Sequence, residues 1–236
     1  MTSVRFSFRI FFSLLFIFST VNAQTVPKNK YGLPVVSNLE LYNKLIEKDD
    51  NNRLVNLEDF IPGIKLDIRY ATENNFANKV LYKSAKAYLR LPAAKALKKI
   101  QDELKKQSLE VKIYDAYRPY SVTERIWEYV KDDRYAADPK KGSRHNRGCA
   151  VDLTIIDSRT GEELEMPTEF DNFTQRAHHA YMKLPKKAIE NRALLRKIME
   201  KHGFEIITSE WWHYDFKGWS KYHIMDISFN ELENKN

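Results

Sequence analysis

The chain has 236 residues, 43% of them hydrophobic and 13% aromatic, with one cysteine and a formal net charge of +7. That length suits one domain with a core of its own. The single cysteine excludes an intramolecular disulfide and a cysteine-rich zinc site, so stability must come from packing. No Lys/Arg block is interleaved with stacking aromatics, which argues against nucleic acid as a partner.

Arg5 and Arg9 open the chain, residues 10–18 (IFFSLLFIF) form a short apolar run, and Val21-Asn22-Ala23 sets small residues at −3 and −1 of a cleavage point. This is the pattern of a secretory signal peptide, residues 1–23. The apolar run is too short for a hydrocarbon core, which needs about 20 residues. No cysteine near the cleavage point offers a lipid anchor, and no second run of spanning length follows. The expected product is exported, periplasmic or extracellular, with no membrane insertion after cleavage. It keeps 37 Lys and Arg against 32 acids, a net charge of +5.

Residues 24–38, with Pro27, Gly32 and Pro34, read as an extended lead-in, and residues 39–236 as the folded domain. A short helix is expected over 39–47. Residues 64–70 alternate Ile64, Leu66, Ile68 and Tyr70 with polar neighbours, the mark of a half-buried strand. Pro92 starts a helix over 92–107 with Leu97, Ile100 and Leu104 on one face. A strand over 109–114 follows. Ser121 and Glu124 have the spacing of a capping box for a helix through Val130. Residues 131–147 read as a polar loop, 150–156 (AVDLTII) as a strand, and 185–202 as a helix stopped at Gly203. Strands near 204–207 and 212–217 close the domain. Without a regular βαβ rhythm, the expected class is α+β with a mainly antiparallel sheet flanked by helices.

Two clusters carry metal-binding and acid/base residue types. In Ser143-Arg144-His145-Asn146-Arg147-Gly148-Cys149-Ala150-Val151-Asp152, a loop histidine is followed by an aspartate inside an apolar strand. A carboxylate there needs a partner or a metal, because an unpaired buried charge is very costly. In Ser209-Glu210-Trp211-Trp212-His213-Tyr214, a carboxylate and an imidazole stand three residues apart. On a strictly pleated strand they would face opposite sides, so Glu210 is expected on the turn before the strand. Read singly, each cluster also fits an ordinary structural role. A catalytic zinc site needs three protein ligands and an open position, and these clusters supply enough donors without cysteine.

Together, Ser143, His145, Gly148, Ala150 and Asp152, followed by Glu210, Trp212 and His213, resemble the D-alanyl-D-alanine dipeptidase family of zinc peptidases. That family is related to D,D-carboxypeptidases and hedgehog-type domains. The likeness extends to Asp67-Ile68-Arg69-Tyr70-Ala71-Thr72, Asn75-Phe76 and Tyr114-Asp115-Ala116-Tyr117-Arg118-Pro119. The resemblance implies one zinc ion per chain held by His145, Asp152 and His213, with Glu210 as catalytic acid/base. It implies Arg118 as the group that stabilises the transition state, and Ser143 and Asp171 as substrate-holding residues, with Asp171 facing a free amine. The implied partner is a small dipeptide; oligomeric state is unreadable. Two other readings stand beside this one: a peptidoglycan D,D- or L,D-carboxypeptidase, and a non-catalytic zinc-stabilised binding module. Intact Glu210 and Arg118 argue against the module. His178-His179 invites a second metal site, but neighbouring side chains point in different directions.

Overall fold

The computed structural model describes residues 25–133 and 136–234, so the proposed signal peptide lies outside the described residues. The lead-in runs into β1 (Val35–Val36) and helix α1 (Leu39–Lys48), whose first turn is capped by the Asn38 side chain accepting from the Leu41 N–H. Next come β2 (Leu54–Asn56), α2 (Leu57–Phe60), β3 (Lys65–Leu66), β4 (Tyr88–Arg90) and α3 (Leu91–Lys105). They are followed by β5 (Leu109–Asp115), α4 (Tyr120–Val130), β6 (Ala150–Asp157) and α5 (Lys186–Lys201). β7 (Phe204–Ile206), β8 (His213–Phe216), β9 (Ile224–Met225) and α6 (Phe229–Glu233) complete the order.

The central sheet has five strands in the order β3-β5-β6-β8-β7. β5 with β6, β6 with β8 and β7 with β8 pair antiparallel; β3 joins β5 in parallel. Two small sheets stand apart, β2 with β4 antiparallel and β1 with β9 parallel. The domain is α+β, and its central sheet is mixed, with three antiparallel pairings and one parallel.

β6 runs through the middle of the central sheet, and residues 150–156 are buried throughout. α3 packs Leu97, Ile100 and Leu104 into the core, with Pro92 in its first turn. Gln101 on the same helix accepts the Val111 N–H at 2.9 Å, tying the helix to β5. α5 ends two residues before the left-handed Gly203 (φ +90°). Its last turn is further tied down by the His202 ring, 2.9 Å from Glu103.

Two expectations need correction. The strand over 64–70 shrinks to β3, because the chain pairs with β5 for two residues and then coils into a 3₁₀ turn over Arg69–Ala71 that buries Tyr70. The Ser121/Glu124 capping box does not form. Ser121 sits inside α4 and gives both its N–H and its hydroxyl to Asp226, 105 residues away, while Glu124 pairs with Lys30. A distant carboxylate thus caps α4 at the positive end of its dipole.

Candidate active site and metal centre

Sheet register assembles the site. Across the ladder Asp152 on β6 stands opposite His213 on β8, and on its other side opposite Asp115 at the end of β5. The β5 ladder is irregular between Ile113 and Asp115, as at a bulge, a common device for re-aiming side chains beside active sites. His145 arrives from the loop before β6, in a 3₁₀ turn closed by left-handed Gly148 (φ +66°). A Cβ on Gly148 would lie 2.5 Å from Leu54 Cδ2, so any other residue would have to displace that methyl as well as strain the backbone.

The three side chains converge. His145 Nε2 lies 3.2 Å from His213 Nδ1, His213 Nδ1 lies 3.0 Å from Asp152 Oδ1, and His145 Nε2 lies 3.5 Å from Asp152 Oδ1. Tetrahedral zinc with bonds of about 2.0–2.1 Å sets its ligand atoms about 3.3 Å apart, so the donor spacing fits such an ion. The outer nitrogens fit as well. His145 Nδ1 sits 2.7 Å from the Ala116 carbonyl, and His213 Nε2 sits 3.0 Å from Asp215 Oδ1. Each imidazole can donate its one N–H outward and turn its lone pair inward, the usual support for a metal-bound histidine. These three residues are the one metal-competent group among the described residues.

The local field also favours a cation. Burial opposes ionisation of Asp152, yet the two imidazoles overcome it and hold the carboxyl well below the usual range. Burial likewise opposes charge on His213, but Asp152 and Asp215 outweigh it and raise the imidazole well above its ordinary value.

Glu210 occupies the turn before β8, with Oε2 4.0 Å from His213 Nδ1. Burial chiefly, with Asp152 adding, pushes its carboxyl up to about 7. A carboxyl there can both take and give a proton near neutral pH. Arg118 follows β5. Its Nε and Nη2 donate to Asp115 Oδ2 at 3.0 and 2.6 Å, and its guanidinium lies 4.9 Å from the centre of the Tyr70 ring. Burial would lower the guanidinium; Asp115 more than compensates. Asp115 in turn accepts the Tyr82 hydroxyl at 2.6 Å.

Ser143, Asp171, Arg118 and Glu210 all line one cavity of about 220 Å³ with the three metal-competent side chains. The Ser143 hydroxyl oxygen accepts the His145 N–H at 3.2 Å. Asp171 adopts a left-handed backbone (φ +60°), uncommon for a residue other than glycine and often a sign of a functional constraint. Its Oδ1 lies 3.4 Å from the Tyr70 hydroxyl, and its Oδ2 is buried without a hydrogen-bond partner. Burial first, then the charges of Asp152 and Glu210, raise this carboxyl well above the ordinary range.

The model of the D-ala-D-ala dipeptidase family, peptidase M15, matches residues 50–230. The chain belongs to that family. It is a metallopeptidase by that membership. It is 35% identical over 181 residues to a D-alanyl-D-alanine dipeptidase of Escherichia coli (strain K12), spanning 77% of this chain and 93% of that one. A D-alanyl-D-alanine dipeptidase of Enterococcus faecium is 31% identical over 178 residues, 67% of this chain and 88% of its own. Among solved structures, the LdcB LD-carboxypeptidase aligns with a TM-score of 0.41 at 22% identity, covering 71% of this chain and 69% of that one.

Some parts of this family member's site had no role assigned from sequence. Asp115 and Tyr82, which hold Arg118, and Asp215, which holds His213, look like ordinary polar residues of strands and loops. The signal for Asp215 was its i, i+2 spacing from His213, which puts both on one face of a strand. His178 and His179 stay outside the metal group; burial pushes the His179 imidazole down to about 4. Phe76, Tyr70 and Trp212 prove to be cavity walls.

Proposed function

We propose that this protein is a zinc-dependent dipeptidase that hydrolyses D-alanyl-D-alanine to two D-alanines, with one zinc per chain bound by His145, Asp152 and His213. The observation that carries the substrate reading is Asp171. A buried carboxylate oxygen with no partner, beside a His-Asp-His cluster, suits the free ammonium of a dipeptide. A cavity of about 220 Å³ suits a small ligand, being below the about 300–1,000 Å³ usual for drug-sized ones.

When bound, zinc supplies Lewis acidity that makes water nucleophilic near neutral pH. Glu210 Oε2 takes the proton of the attacking water and returns a proton to the departing amine. Arg118, held by Asp115 in a buried setting, donates to the carbonyl oxygen as that oxygen gains charge. Asp171 binds the ammonium and excludes acylated chain ends. Ser143, its oxygen already accepting from the His145 N–H, keeps its own proton for the substrate.

The N-terminal pattern supports export to the periplasm or beyond, and with it a role in cell-wall peptide turnover. N-terminal sequencing of the secreted product is expected to begin at Gln24.

The test is a panel of free and N-acetylated D,D- and L,L-dipeptides, assayed with and without a chelator. Cleavage confined to the free D,D-dipeptide, and abolished by the chelator, is the expected outcome. Equal cleavage of N-acetyl-D-alanyl-D-alanine would assign the protein instead to the carboxypeptidase reading. A Glu210→Ala variant that still binds zinc is expected to lose about 10²–10⁴-fold in kcat. Full turnover by that variant would refute the mechanism.

A further inference from the structure

A free dipeptide has two charged ends, and Asp171 accounts for one. The other is a carboxylate, whose natural partner in a cleft is a guanidinium. Two arginines line the cavity, Arg118 and Arg144. Arg118 is committed: its side chain is 8% exposed and clamped to Asp115 through both Nε and Nη2. Arg144 differs in each respect. Its side chain is 47% exposed, and its ionic contact is a loose one, Nε to Asp215 Oδ2 at 3.4 Å. Its guanidinium lies 4.7 Å from the centre of the Trp219 ring, a contact that fixes a planar group without using its N–H edge. Among the described residues no acceptor is hydrogen-bonded to its Nη groups.

Position agrees with this. Arg144 lies between Ser143 and His145 in the chain and contacts Asp215, on the outer Nε2 side of His213, whereas Asp171 contacts the Tyr70 hydroxyl, and both residues line the same cavity. We infer that Arg144 reads the terminal carboxylate of the substrate, with Trp219 holding its plane and Asp215 limiting its swing. The inference rests on the dipeptidase reading above. It makes selectivity for a free C-terminus a property of one side chain, complementary to the selectivity for a free N-terminus at Asp171.

The experiment compares wild type, Arg144→Gln and Arg144→Lys on D-alanyl-D-alanine and on its C-terminal amide, with bound zinc and Tm measured for each protein. Wild type is expected to prefer the acid. In Arg144→Gln, kcat/KM for the acid is expected to fall about 10- to 100-fold, chiefly through KM, and the preference for acid over amide to collapse. Arg144→Lys is expected to recover part of that preference. Equal losses on both substrates with lowered zinc occupancy would mean that Arg144 only supports His213 through Asp215, and would overturn the inference. An unchanged acid-to-amide ratio would overturn it too. Were the Gln variant not to fold, the same ratio in Arg144→Lys, expected to drop several-fold, decides. Wild type that cuts neither substrate would refute the dipeptidase reading itself, a result distinct from wild-type cleavage with an unaltered variant.

Discussion

Asp115 is the residue on which the most discriminating perturbation can be made. It is 1% exposed and accepts two bonds from Arg118, at 3.0 and 2.6 Å, and one from Tyr82, at 2.6 Å. Asp115→Asn keeps the shape but removes the charge, and its amide nitrogen cannot accept at one of the two positions. Removing one partner of a buried ion pair generally costs about 3–5 kcal/mol; the isosteric amide still accepts through one oxygen, so the stability loss is expected near the lower end. The catalytic loss works through Arg118. One oriented donor to a developing oxyanion is worth about 3–4 kcal/mol, so a guanidinium set free to tilt is expected to reduce kcat by about 10²–10³-fold. The assay is kcat on D-alanyl-D-alanine for Asp115→Asn, Arg118→Ala and the double variant, with zinc content determined in each because Asp115 lies 3.6 Å from His145 Nδ1. A residue that acts through another adds nothing once that other is gone, so the double variant should be no slower than Arg118→Ala alone. Additive losses, or wild-type kcat in Asp115→Asn with full zinc content, would refute the reasoning.

Further outcomes follow from the same geometry. Asp171→Asn is expected to lower kcat/KM for the free dipeptide by about 10- to 100-fold while narrowing its advantage over the N-acetylated form, measured on the two substrates side by side; an unchanged ratio would remove Asp171 from amine recognition. Gly148→Ala would place a methyl 2.5 Å from Leu54 Cδ2 at φ +66°, and is expected to cost about 1–3 kcal/mol in denaturant unfolding and to weaken zinc binding through His145. Cys149 is fully buried, and burial pushes its thiol up to about 12. A thiol reagent at pH 8 should therefore leave the native protein unlabelled and modify one thiol in denaturant; rapid native labelling would contradict that burial.

How much of this was legible in the sequence depended on the range of the interaction. The face of α3 followed from local periodicity, because Leu97, Ile100 and Leu104 meet the core whatever strand lies beneath. Asp152 announced itself as a carboxylate in an apolar strand, and Glu210 with His213 as donors whose odd spacing would set them on opposite faces of a pleated strand. What stayed hidden was set by partners far along the chain. Ser121 and Glu124 had the spacing of a local cap, but Asp226 and Lys30 claimed them. The alternation of residues 64–70 matched their burial better than their hydrogen bonding, since Lys65 and Leu66 pair with β5, Asp67 adds one N–H bond to the Ile113 carbonyl, and the ladder ends there. The roles of Asp115 and Tyr82 required knowing that residues 33 apart in sequence share one buried hydrogen bond.

The end of β5 has a mechanical consequence. Within four consecutive residues, Asp115 aligns Arg118 and the Ala116 carbonyl aligns His145, while the Arg118 N–H returns a backbone bond to the His145 carbonyl. On the proposed mechanism, metal capture and charge stabilisation therefore share one jig. An opening of that segment would release the ligand and the arginine together, so metal affinity and kcat are expected to fall in step as the protein is heated.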